Sequence, residues 1–325
     1  MSDNENKITK QLPIKDIYDD AVKPFAKETG SLMSLIPRAI HAALSPIEIW
    51  ILNRQHAINE TKKMLEEKLK YYDPQKICTP EPYIAIPAIE AISYSRDCKQ
   101  IREMYANLLV KSMIIEERKY VHPAFTEIIK QLTPDEAKII NYLLIYGDRQ
   151  PVLEIRRVFN TKLKEVGSYS NLHKFDNKSL IASVDKKDGL TLHDPKKLTF
   201  TDNLGNTFSR NVTLLAYYAN CSLPNKIESY LDNLSRLKII NIIYTSYLDT
   251  KEEYTRIAQS GHVKTTLLED YEKLETHEGI TYHLKKGFIC FSDFGKEFVK
   301  VCLNEDDAED IINDPKPSIP INPEL

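Results

Sequence analysis

The sequence predicts a mainly α protein, with an N-terminal helical domain followed by a winged-helix-like α+β domain. Three observations predict it. Glycine is scarce, nine in 325 residues against an average of about 7%, and none lies between Gly30 and Gly147. Two helix starts carry the same signature, Ser45-Pro46 with Glu48 and Thr133-Pro134 with Glu136. In each, an N-cap hydroxyl, a first-turn proline and a reciprocating carboxylate satisfy the free backbone donors locally. The run GITYHLKKGFICFSDFGKEFVKVCL reads as strand, three-residue turn Lys285-Lys286-Gly287, strand, then helix.

Along the chain, 1–30 is expected to be a flexible arm. The most apolar stretch, SLMSLIPRAIHAALSPIEIWILN (31–53), breaks at Ser45-Pro46, so neither piece reaches the ~18 residues of a membrane span. A buried helical hairpin is expected there, with an interfacial amphipathic segment as the alternative. From Pro46 a helix is expected to run to about Tyr72, where Asp73-Pro74 stops it. KICTPEPYIAIP, with three prolines, reads as an extended connector. Asp97 and Gln100 are expected to cap a further helix whose stripe Ile101, Met104, Tyr105, Leu108, Leu109 and Met113 repeats every 3.6 residues and faces a core. The helical domain thus covers 31–132 and the winged-helix-like domain 133–303. Within the latter, Pro224 opens a helix buried through Ile227, Tyr230, Leu231, Leu234 and Leu237. The polar, turn-rich stretch 161–211 is expected to be an insertion or mobile loop region, and 304–325 an acidic disordered tail.

A composition of 42% hydrophobic and 28% charged residues is that of a globular chain. Charge is uneven: the tail holds Glu305, Asp306, Asp307, Glu309, Asp310, Asp314 and Glu324 against Lys316. Without these residues the net charge moves from -3 to +3. So small a balance provides no broad polyanion-binding field. Five cysteines without a CxxC pair indicate free thiols in a reducing compartment. The polar N-terminus lacks a secretory signal, so the expected location is cytoplasmic, with the inner-membrane periphery as the alternative.

Few residues offer chemistry. The nearest glycines, Gly279, Gly287 and Gly295, are eight apart, which argues against phosphate-loop and dinucleotide fingerprints. No cofactor or metal is expected. His277 and His283 flank Gly279 where the wing should be, and a solvated loop is their expected place. Arg118 and His122 form the one candidate catalytic pair, approaching the Arg–x–His spacing of defence ribonucleases but with a shorter gap and Pro123 after the histidine. A helix-start imidazole bonded to backbone is the competing role for His122. Candidate nucleic-acid contacts are Lys226, Arg236 and Lys238 on the 224–240 helix, opposed there by Glu228 and Asp232, and Lys285 and Lys286 at the wing tip.

EPYIAIPAIEAI, REMYANLL, VHPAF followed by IIKQLTPDEAKI, PVLEIR, YLDNLSRLKII and FSDFGKEFVKVC together resemble the abortive-infection alpha family of bacterial phage-resistance proteins. The resemblance runs from about Pro46 to Leu303. It implies a bacterial protein that limits phage propagation by damaging or arresting the infected cell, and it transfers no active site. The expected activity is that of a non-enzymatic effector or sensor. Its expected partners are a second copy of itself, a phage or host protein, or a membrane surface met through 31–53. A winged-helix DNA-binding regulator and a phage-activated ribonuclease are the alternatives.

Overall fold

The computed structural model describes residues 55–95, 98–158, 179–185, 189–193, 206–274 and 280–304, together with Pro37 and Ile40. The N-terminal arm, nearly all of the 31–53 segment, Asp97, His277 and the acidic tail beyond Asn304 lie outside these residues. In chain order the helices and strands are α1 (Gln55–Leu69), α2 (Pro82–Tyr94), α3 (Lys99–Met113), α4 (Ala124–Lys130), α5 (Pro134–Tyr146), β1 (Gln150–Val158), β2 (Ser179–Asp185), β3 (Gly189–His193) and β4 (Asn206–Val212). There follow α6 (Leu215–Tyr218), α7 (Ile227–Arg236), β5 (Ile240–Ile243), α8 (Lys251–Ala258), α9 (Gly261–Glu272), β6 (Thr281–Phe291) and α10 (Asp293–Cys302). The described chain falls into two units, one holding residues up to Ala137 with 297–304, the other Lys138–Lys296.

The first unit is helical and is organised around α3. The predicted stripe is buried, and so are Ala106, Asn107, Val110 and Ser112, so α3 is enclosed on more than one side. Helices α1, α2 and α4 pack against it. Its polar groups are answered inside the unit: the Tyr105 hydroxyl donates to the Thr126 carbonyl, and Asn107 Nδ2 donates to the Cys302 carbonyl at the end of α10 at 3.2 Å. Phe298 of α10 meets Phe125 edge-on at 5.5 Å. The connector KICTPEPYIAIP is shorter than expected. Helix α2 begins at Pro82 and carries Pro87 inside it. A proline at the first helical position loses an N–H that no helix start uses, so Pro82 starts the helix rather than preventing it.

The capping box at α5 forms as its sequence dictates. The Thr133 backbone N–H donates to Glu136 Oε2 at 2.7 Å, and the Glu136 N–H donates to Thr133 Oγ1 at 3.2 Å. Thr133→Ala is therefore expected to lower stability by about 1 kcal/mol, read as a shift in the urea midpoint at unchanged slope.

The second unit is built on a six-stranded sheet whose pairings are all antiparallel, in the order β3-β2-β6-β1-β4, with β5 also paired to β6. Strand β6 pairs with β1 along Thr281–Ile289. On its other edge it pairs first with β2, through Tyr282–Lys285, and then with β5, through Phe288–Phe291. At the break between them the Gly287 carbonyl accepts from the Tyr254 hydroxyl at 2.6 Å. One face of the sheet is apolar: Leu153, Ile155, Leu180, Ala182, Tyr282 and Leu284 share a core with Tyr254 and Ile257 of α8 and Val263 and Leu267 of α9. Arg157 reaches that side as well, where it pairs with Asp270 at 2.6 Å while Asp270 accepts from the Tyr282 hydroxyl.

These observations correct the predicted fold class. The protein is mixed α+β with a six-stranded antiparallel sheet, not mainly α, and no winged helix is present among the described residues. The expected wing is an uninterrupted central strand. Gly287 does not turn the chain; a Cβ there would lie 2.5 Å from both the Ile243 carbonyl oxygen and the Tyr244 ring. Glycine is needed at 287 for close approach, a use of the residue that sequence alone does not separate from a turn. The polar stretch 161–211 also supplies core structure: β2, β3 and most of β4 come from it, and Leu180, Ile181 and Ala182 are buried.

Candidate functional site: the polar face of the sheet

Side chains alternate between the faces of a strand, so cross-strand partners share a face. The pairs Glu154↔Lys285 and Arg156↔His283 place two cations, a carboxylate and an imidazole together on the side of the sheet away from the apolar core. Further along the same row, His283 faces Ile181 of β2 and Arg156 faces Thr207 of β4. Neighbouring strands are about 4.8 Å apart, so these groups lie within reach of one another.

Glu154 is buried and bonded through one carboxylate oxygen. Its Oε1 accepts from Thr207 Oγ1 at 2.8 Å, from Arg156 Nε at 2.8 Å and from Arg156 Nη2 at 2.7 Å. Burial opposes its ionisation, but the bonds from Thr207 and Arg156 and the charges of Arg156 and Arg210 outweigh that cost and hold its pKa below the usual value. The carboxylate is therefore ionised and serves to orient Arg156, not to exchange protons. His283, 4% exposed, is pushed the other way. Burial first, then the charges of Arg156 and Lys285, lower its pKa to about 4, so the imidazole is neutral near pH 7.

Strand β4 is shaped to this face by irregularity. Its register against β1 shifts between Leu153 and Ile155 and again between Ile155 and Arg156. Such bulges re-aim side chains and concentrate at functional edges. Next to them Asn211 takes a left-handed backbone, φ 62. It is pinned there: its N–H donates to the Tyr244 hydroxyl at 3.0 Å, and its Nδ2 donates to Asp232 Oδ1 at 2.9 Å. Ser209 donates to Glu228 at 2.8 Å, which ties β4 to α7 through a second bond to a carboxylate. Burial raises the Tyr244 hydroxyl above its ordinary pKa, so it remains a neutral donor.

The sequence-predicted residues fall in different places. Arg118 and His122 belong to the helical unit. Arg118 is bound to Glu81 at 2.8 Å and donates to Cys78 Sγ at 3.8 Å, while His122 Nδ1 accepts from the Ala124 backbone N–H at 3.1 Å. Lys226, Arg236 and Lys238 are exposed at or beside α7, and Arg236 bonds to Asn233. Lys285 faces the polar side of the sheet. Lys286 is buried on the opposite side, its ammonium 5.4 Å from the ring centroids of both Tyr247 and Tyr254. Burial, and then the charge of Lys251, lower its pKa. A wing-tip role for Lys286 and a solvated loop for His283 are thus both overturned, because the residues lie mid-strand. Among the described residues, no group of three or more His, Cys, Asp or Glu side chains could hold a metal ion.

Sequence reasoning missed Glu154, Arg156, Arg210, Asn211 and Tyr244. One signal was available: in QPVLEIRRV the charged Glu154 and Arg156 stand two apart in an apolar strand, hence on one face. Nothing in the sequence marks the bulges that bring Arg210 and Asn211 to them.

A helical unit followed by an antiparallel sheet with one apolar and one polar face defines a two-unit α+β protein. The chain belongs to the Abortive infection alpha family, whose sequence profile matches residues 53–302. No curated protein and no solved structure matches it. Among the described residues, no helix is long and apolar enough to cross a membrane.

Proposed function

We propose that this protein limits phage propagation in a bacterial host by abortive infection, as a non-enzymatic sensor or effector that works through protein contacts. Family membership supports the setting. The observation that carries the mode of action is a patch on the helical unit where Tyr83, Ile115 and Tyr120 are 59%, 52% and 45% exposed. The segments bearing them are laced together. Ile77 bridges Ile114, the Ile115 N–H donates to the Lys76 carbonyl at 3.0 Å, and Arg118 pairs with Glu81. Lys119 and Lys300 flank the Tyr120 ring at 5.0 and 4.2 Å. Exposed tyrosines beside an arginine have the composition of protein-binding surfaces, where a few aromatic anchors carry most of the affinity.

The test is phage challenge of a susceptible bacterium expressing the protein, at low and high multiplicity. Culture survival at low dose with collapse at high dose is the expected result. Tyr83→Ser combined with Tyr120→Ser is expected to abolish protection while soluble yield and circular dichroism stay unchanged. Full protection by that double variant would overturn the contact reading.

A further inference from the structure

We propose that the polar sheet face between Arg156 and Lys285 binds a small phosphoryl-bearing anion, such as pyrophosphate or the phosphate tail of a nucleotide. As the input of a sensor this rests on the proposed role, but the binding itself is measured on purified protein without phage, so the two can fail separately.

Four observations carry the inference. Arg156 and Lys285 stand on adjacent strands, on the same face and on either side of His283, through the register pairs Arg156↔His283 and Glu154↔Lys285. Arg156 is held in place by two bonds to the buried Glu154, which fixes one planar donor group on a rigid strand. Besides its burial, the charges of Arg156 and Lys285 act on His283, which places both cations close to the imidazole. An anion there would meet two cations, one of them already paired with the Glu154 carboxylate, and a neutral imidazole. The same face continues away from the cations through Ser183 of β2 and its cross-strand partner Thr191 of β3, which keeps its outer part polar. On the β4 side, the register shifts leave Arg210 and the left-handed Asn211 opposite Glu154, and the charge of Arg210 acts on that carboxylate. Glu228 and Asp232, the acids near β4, accept bonds from Ser209 and Asn211 and belong to the α7 side of the face. A phosphoryl group suits this pair of cations because its oxygens accept several charge-assisted bonds at once.

The experiment is titration of the full-length protein with pyrophosphate, by calorimetry and by NMR of the histidine ring signals. Saturable binding that shifts the His283 ring resonances is expected. Lys285→Gln, at a half-buried position, should weaken binding about tenfold, the loss of one charge-assisted contact. Arg156→Gln should weaken it at least as much if the variant folds. Arg236→Gln, on α7, should leave it unchanged. A short single-stranded RNA runs in parallel. Binding of RNA without any pyrophosphate signal would overturn the small-anion assignment. So would the absence of saturation at millimolar pyrophosphate, or binding indifferent to Lys285→Gln.

Discussion

Substituting alanine at Gly295 is expected to destabilise the sheet unit by roughly 3 kcal/mol, near the upper end for an overpacked site. A Cβ at 295 would collide with the backbone carbonyl of Ile239. That carbonyl cannot retreat freely, because it already accepts from the Ser292 N–H at 3.0 Å. Ser292 locks the same junction a second time: its hydroxyl donates to the Lys238 carbonyl and accepts from the Gly295 N–H, which makes it the N-cap of α10. Lys238 itself has φ 61, so the turn before β5 is already in a left-handed conformation that a side chain tolerates poorly. The obstacle is backbone against backbone, where no side-chain rotamer can give way. Urea denaturation of Gly295→Ala beside Lys296→Ala provides the measurement. The exposed lysine change should stay within about 0.5 kcal/mol. Equal midpoints for the two variants would show that α10 can shift away from Ile239.

Acid is expected to weaken the protein through His283 in the window between pH 6.5 and about 4. Above 6.5 the imidazole is neutral in both the folded and the unfolded chain and contributes no pH dependence. Within the window the unfolded chain takes up a proton that the folded one refuses, so stability falls as pH falls. Below about 4 the folded imidazole is protonated too and the loss is complete. At 1.36 kcal/mol per pKa unit the full effect is about 3 kcal/mol. Its cause is burial of the ring together with the charges of Arg156 and Lys285, neither of which a surface histidine would meet. Urea midpoints taken across this range for the natural protein and for His283→Gln isolate the contribution. The glutamine variant should lose most of the slope between pH 6.5 and 4.5, where carboxylates contribute little. If it keeps the natural slope, another group is responsible.

The helical unit was legible where signals are local. Thr133, Pro134 and Glu136 sit within one turn, so the cap could be read from spacing and is found in place. The stripe on α3 was legible as a buried face, though not the enclosure of Asn107 and Ser112, which depends on what packs around the helix. The sheet was mostly illegible. β2 and β3 are short and lie in a polar stretch, and only pairing with the long β6 brings Leu180, Ile181 and Ala182 inside. Lys285-Lys286-Gly287 has the composition of a hairpin turn and occupies the middle of a strand. The candidate site suffered the same way: Lys285 and His283 were singled out in the wrong setting, and the strand pairing that brings Arg156 to them is not revealed by any local pattern.

What the sequence determined by itself is the family, the capped start of α5, the periodic face of α3 and the near-neutral charge. Each of these depends on residues a few positions apart, or on totals that folding does not change. The tertiary structure alone decided that Lys285 and Lys286 face opposite sides of the sheet, that His283 is neutral, and that Gly287 and Gly295 are needed for room. Those outcomes depend on strand register and on backbones meeting across more than forty residues of chain, and a side chain's environment there is set by its partner strand rather than by its sequence neighbours.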